Sequence, residues 1–239
     1  MAELEVVKHT KKIHNILKNE ELSWWHKVKE FLIEIVIIVF AVTITIWFHD
    51  LSEKRHKQHD VSEFLAGLKT DLQRDIVELE ADRKGYTRMK KAFAYINGVA
   101  FHEKPLADSL KFYYNWYFNE VGFVPNDGRF EGFKSSGKVG DIEDKELQND
   151  IMDLYQEDIR ALVSSTAFFS ERKGKLVDYL TKNMKQESES TYNLSTIMAT
   201  DEARNICRTL YFTDEIIGRY DTCIVKSKRI IDAIDKAQH

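Results

Sequence analysis

The chain has 239 residues and a formal net charge of -4, with 31% charged and 43% hydrophobic residues but 2 prolines and 10 glycines. Few helix-breaking residues point to long helices, and the acidic balance excludes nucleic acid as the main partner, since phosphate binding needs a basic surface. Mean hydropathy is -0.42, so a segment that enters a bilayer must gather its apolar residues in one place.

Residues 1–22 read as an amphipathic helix. Val6, Val7, Thr10, Ile13, Ile16 and Leu17 recur at helical spacing, with Lys8, Lys11, Lys12 and Lys18 elsewhere, a pattern suited to lying in the headgroup plane. Residues 23–50 read as a membrane anchor. Phe31 to Phe48 is an 18-residue apolar run with one charge, Glu34, and as a helix it spans roughly 27 Å, close to a bilayer's hydrocarbon thickness. Trp24 and Trp25 precede it and Trp47 closes it, placing indoles near both expected interfaces. The run is too long for a strand and lacks a small-residue cleavage site after Trp47. Lys18, Lys27 and Lys29 before it match Lys54, Arg55 and Lys57 after it, so local charge leaves orientation tied. The lysine-rich tail favours a cytoplasmic N-terminus and a periplasmic C-terminal domain in a bacterial inner membrane.

Residues 51–239 read as a helical bundle. Val61, Leu65, Leu68, Leu72, Ile76 and Leu79 continue the anchor as one long helix that Asn97-Gly98 ends. Pro105 is expected in the first turn of the next helix, which carries Phe112, Tyr113, Tyr114, Trp116, Tyr117 and Phe118. Six aromatics in seven positions exceed one core face, so part of this segment is expected to face a neighbour, a ligand or the membrane surface. Val121 to Gly140 holds the turn signals and reads as a loop, with Ser135-Ser136-Gly137-Lys138 a helix-entry turn that lacks the pattern of a phosphate loop. Asp144 to Arg172 reads as helix, Leu176 to Met184 as a further short helix, and Gln186 to Thr196 as a polar connection. Ile206, Leu210, Thr213, Ile217, Tyr220, Ile224, Ser227, Ile231 and Ile234 alternate four and three along one heptad seam. The expectation is an all-α fold. Cys207 and Cys223 form neither a disulfide scaffold nor a zinc site. In one unbroken helix they fall on nearly opposite faces, leaving open buried thiols or a bridge between chains.

The stretch from Ile33 to Gln58 followed by Glu63 to Glu80 resembles an uncharacterised bacterial family of short single-pass membrane proteins common in Bacteroidota. The likeness rests on Glu34-Ile35 at the start of the anchor, Trp47 at its end, and Leu65, Leu68 and Leu72 beyond it. Phe133, Ser135, Ser136, Gly137, Ile142, Leu147 and Tyr155 fall on that family's second pattern, and the likeness covers roughly residues 27–160. Phe31-Leu32-Ile33 stands where the family has a glycine before the glutamate, so close helix packing at such a glycine is not implied. The resemblance implies the single-pass topology and supplies no activity.

Among candidate functional residues, Glu34 shares a helix face with Glu30, and a carboxylate inside an apolar run is costly. Three roles fit: a carboxylate ring or contact in an assembly, a proton or cation site, or a side chain reaching back to the interface. His49, Glu53, His56 and Asp60 share one face of a continuing helix, a weak zinc or copper pattern against the alternative of a solvated face. No catalytic motif emerges and no cofactor is implied. The leading expectation is an interaction protein, a homo-oligomer or an accessory subunit beside another membrane protein in the lipid bilayer. An ion-conducting oligomer using Glu34 and a small-molecule sensor using the aromatic segment are the alternatives.

Overall fold

A computed structural model describes Lys11 and residues 24–101, 103–188 and 191–237. Apart from Lys11, the amphipathic segment expected over 1–22 lies outside these residues. The chain is all-α, with one small hairpin. Helix α1 runs over Trp24–Gly98, 75 residues without a break, as the absence of proline from this stretch allows. The chain divides into two compact units, Met1–Asp60 and Val61–His239.

In the first unit α1 holds the one helix, among the described residues, long and apolar enough to cross a membrane. Its apolar window has a mean hydropathy of 2.7 and is 6% buried. Thr43 and Thr45 donate to the carbonyls of Val39 and Ala41, at 2.8 and 2.9 Å, so their hydroxyls are satisfied within the helix.

In the second unit the core stripe of α1 is Val61, Leu65, Leu68, Leu72, Asp75, Leu79, Asp82, Tyr86, Met89, Phe93 and Ile96, alternating four and three throughout. All but the half-buried Asp82 are buried. The sequence suggested Ile76 for this stripe, yet Asp75 takes the core position and is 1% exposed.

Helix α2 (Ala107–Phe118) folds back on α1. Pro105 precedes this helix instead of opening it, and Leu106 is its N-cap. The supposed loop contains helix α3 (Gly128–Ser135) and a 3-10 turn over Lys138–Asp141. Ser135-Ser136-Gly137 is the exit from α3 as well as the entry to the 3-10 turn: Gly137 has φ 76°, its N–H donates to the Lys134 carbonyl at 3.0 Å, and it caps the turn that starts at Lys138. Gly67 matters for a different reason. A Cβ there would lie 2.3 Å from the Arg129 guanidinium, which crosses α1 to pair with Asp71 at 2.8 Å.

Helix α4 (Lys145–Asp153) starts at Asp144, whose carboxylate accepts from the N–H groups of Glu146 and Leu147. It passes through a π turn at Leu154–Asp158 into α5 (Ile159–Asn183). The expected break before Leu176 is absent. Strands β1 (Gln186–Ser188) and β2 (Thr191–Tyr192) pair antiparallel, and helix α6 (Leu194–Met198) follows.

The final seam is broken: helix α7 spans Asp201–Leu210 and helix α8 spans Asp214–Ala237. Thr200 caps α7 by accepting from Ala203 N–H at 3.4 Å. Helix α8 runs antiparallel to α1, as its ion pairs record. Lys69 meets Asp235, Glu80 meets Lys228, Arg83 meets Asp221 and Lys90 meets Asp214, rising along one helix as they descend along the other. Such part-exposed pairs set register more than stability, each being worth about 0–1 kcal/mol.

Cys207 lies on α7 and Cys223 on α8, so the phase of one continuous helix does not relate their faces. Both are free and buried, and burial pushes each thiol up to about 12. Because the thiolate is the reactive form, neither should react with a disulfide reagent at pH 8 in the folded protein, and both should react once it is denatured. Prompt labelling of either thiol in the native chain, followed by mass, would contradict this placement.

Candidate functional site

Trp24 begins α1, and Trp25 and Trp47 are exposed, Trp47 edge-on to Phe48 at 5.1 Å. Glu30 is half-buried. Glu34 is 2% exposed within a single chain, although Leu32, Ile33, Ile35 and Val36 around it are exposed. A carboxylate already covered inside one chain is poorly placed to line an axis between copies. His49 lies 3.9 Å from Asp50, and Glu53 pairs with Lys57 at 2.8 Å, which lowers the Glu53 pKa. His56 and Asp60 follow on the same helix, but among the described residues no three His, Cys, Asp or Glu side chains are grouped to hold a metal.

The aromatic segment divides between core and surface. Tyr117 departs from the expected interaction surface: it is fully buried and donates to the Ala92 carbonyl at 3.2 Å, with its ring 5.8 Å from Phe93. Tyr113 packs beside Tyr95 at 5.9 Å, and Trp116 lies under Arg88 at 5.3 Å. Phe118 is half-buried against Tyr114 at 4.6 Å. Phe112, 76% exposed, and Tyr114 face outward, with Leu106 exposed just before the helix.

Lys173, which sequence reading passed over, is buried near the end of α2 with its ammonium 4.0 Å from the Met89 sulfur. Its ammonium donates to the carbonyl of Asn119, the C-cap of α2, where a cation complements the helix dipole. Burial lowers its pKa to about 8, opposed by Glu120. Its place at a helix end, bonded to backbone, makes it a capping residue.

A cleft of about 600 Å³ opens between the segment Phe123–Asp127, helix α3 and the start of α5. Three side chains of α1 hold that segment in place. Tyr86 donates to the Val121 carbonyl at 3.1 Å, Glu78 accepts from Val124 N–H at 3.1 Å, and Asp75 accepts from Asn126 Nδ2 at 2.6 Å and from its backbone N–H at 3.2 Å. Burial raises the Asp75 pKa, against the lowering effect of the Asn126 bonds. Opposite stands Tyr155 in the π turn, stacked on Phe130 at 4.5 Å and 11°. The residue is 4% exposed, and among the described residues its buried hydroxyl has no hydrogen-bond partner. Burial raises its pKa, and Asp75, Asp71 and Asp127 raise it further. A second cavity, about 750 Å³ and wide, lies between α5 and α7 beside Arg172, Lys175, Arg208 and Phe212.

Comparison with protein families, with curated proteins and with solved structures finds no match to this chain.

Proposed function

We propose that this chain is a single-pass membrane-anchored interaction protein, either self-assembling or an accessory subunit of a larger membrane complex. The observation that carries the reading is α1 itself. One helix holds a window with a mean hydropathy of 2.7, of which 6% is buried, and then the first core helix of a folded bundle. An apolar surface of that size needs a lipid or protein covering. Phe112, Tyr114 and Leu106 leave further apolar side chains exposed on the bundle. Their exposure favours a contact with another polypeptide, since exposed aromatics are the side chains from which interfaces are most often built. We place the anchor in a bacterial inner membrane with the N-terminus cytoplasmic and the bundle periplasmic, in line with the family resemblance and the lysine-rich tail. The burial of Glu34 weighs against an ion-conducting ring. No enzymatic activity is proposed.

The test is the mass and composition of the complex extracted from native membranes in mild detergent. Several copies, or a second membrane protein in fixed ratio, is the expected result. Phe112→Ala should then lower recovery of the assembly without changing the bundle's helicity. A monomer recovered alone from membranes, or a chain found in the soluble fraction, would overturn the reading.

A further inference from the structure

We propose that the groove between α5 and α7 is a docking surface for an acidic segment of another polypeptide, with its carboxylates against Arg172 and Arg208 and an apolar side chain against Ile206 and Phe212. This rests on the reading of the chain as an interaction protein and names the chemistry of the partner.

Three observations carry it. First, the charge of the groove has one sign. Arg172, Lys175 and Arg208 line it, and none of the lining residues is acidic. Glu171, beside Arg172 in sequence, stands 3.9 Å from Lys175 and answers that cation, which leaves the two arginines. Asp178 and Glu202 fall one turn beyond Lys175 and Asn205, toward the contact of Tyr179 with Thr200 at 2.9 Å. Past Phe212, at the other end, Asp214 pairs with Lys90 and Glu215 with Arg219.

Second, the two arginines are open to a partner. Among the described residues neither guanidinium has an ion pair or a hydrogen bond, whereas Arg83, Arg129, Arg219 and Arg229 are each paired within the chain. Arg172 lies over the Phe168 ring at 4.1 Å. A stacked guanidinium keeps its N–H edge for a carboxylate, which it can hold by two bonds.

Third, apolar surface borders the charge. Phe212 is 75% and Phe168 55% exposed, with the partly buried Ile206 between the cations. Arginine and exposed aromatic rings together are the side chains from which interface centres are built. The groove is wide, about 750 Å³, and a polypeptide laid between two helices covers it where a small molecule would stay largely in water. A symmetric contact with a second copy would set these cations against themselves, so a different, acidic chain fits.

The test is fluorescence anisotropy of a labelled synthetic peptide against the full chain in mild detergent. The peptide has about 15 residues, leucines spaced three and four apart and glutamates elsewhere, and its control carries lysine for every glutamate. The acidic peptide should bind and the lysine peptide should not. Raising NaCl from about 50 to about 500 mM should weaken binding about tenfold. Arg172→Glu combined with Arg208→Glu should abolish binding, and Phe212→Ala should weaken it about tenfold. All three positions are exposed, so helicity should be unchanged by circular dichroism. Absence of acidic-peptide binding at millimolar concentration, equal binding of the lysine peptide, or binding unchanged in the charge-reversed chain would overturn the proposal. So would an assembly of this chain alone that the charge reversal takes apart, since the occupant would then be a second copy. Failure of the peptide with the membrane complex intact removes this surface only, whereas absence of any complex removes the interaction reading and this surface with it.

Discussion

Replacing Arg204 with alanine should lower the stability of the bundle by about 3 kcal/mol, the larger of the two effects expected from single polar substitutions. Arg204 is the buried cation at the end of α1, donating to the carbonyls of Val99, Ala100 and Glu103 at 3.0, 2.9 and 2.7 Å. Those carbonyls belong to the chain as it leaves α1 and turns toward α2. Truncation leaves them short of donors and removes a cation from the negative end of the helix dipole. In a domain of this size the loss corresponds to a fall in melting temperature of about 6–12 °C, read by circular dichroism in detergent. Arg204→Lys should recover only part of it, because one ammonium cannot span three carbonyls as a planar fork does. A shift below about 2 °C for the alanine variant would mean that water serves these carbonyls as well as the guanidinium does.

The second large effect concerns Asp75 and depends on pH. Asp75→Ala removes the acceptor for both Asn126 donors and should cost about 2 kcal/mol at low pH, where the protonated side chain contributes most, and less at pH 7. Asp75→Asn keeps an acceptor and removes the buried charge. The native pKa of Asp75 is raised above its ordinary 3.8, with burial the main cause. A carboxylate of that kind holds its proton better in the folded state, so its contribution to stability grows as pH falls through the folded value and is complete below the unfolded one. The charged, buried form is therefore the unfavourable one at pH 7. The asparagine variant should be at least as stable as the native chain at pH 7, with any advantage shrinking toward pH 4. Glu80, whose pKa Lys228 lowers, runs the other way and loses its pairing as pH falls. Denaturant melts at both pH values would separate the two. An asparagine variant as damaged as the alanine one at pH 7 would show that the charge itself holds the segment at Asn126.

The long helix was legible because its stripe repeats without interruption and no proline or glycine pair stops it before Gly98. Apolar residues were a sound guide to that stripe except at Asp75, where a hydrogen-bonded carboxylate outranks the neighbouring Ile76. The choice depends on Asn126, which lies far along the chain. Aromatic density predicted that α2 would be shared between core and surface, but not that Tyr117 would be the inward one. That assignment follows from its bond to Ala92. The break between α7 and α8 was readable in Thr213-Asp214-Glu215, an N-terminal signal that the run of fours and threes concealed. The cleft left no trace in sequence, because its lining comes from two separate stretches that share no motif.

The π turn at Leu154–Asp158 marks the one place between α4 and α5 where the gene could change length by a single codon without disturbing the helix around it. An α-helical path from α4 into α5 would use one residue fewer. Losing a single codon inside the turn would restore ordinary pitch with the later side chains of α5 still in phase, whereas losing one just after it, at Ile159 to Ala161, would rotate every later side chain of α5 by about 100°. Leu162, Phe169, Leu176 and Leu180 would leave the core together, and Lys173 would lose the carbonyl it caps. The hairpin connection after Asn183 holds no such phase relationship, since its side chains at Gln186–Ser188 are exposed. Descendants of this gene should therefore vary in length at the hairpin, differ by at most one residue within the π turn, and hold a fixed spacing from Ile159 to Leu180.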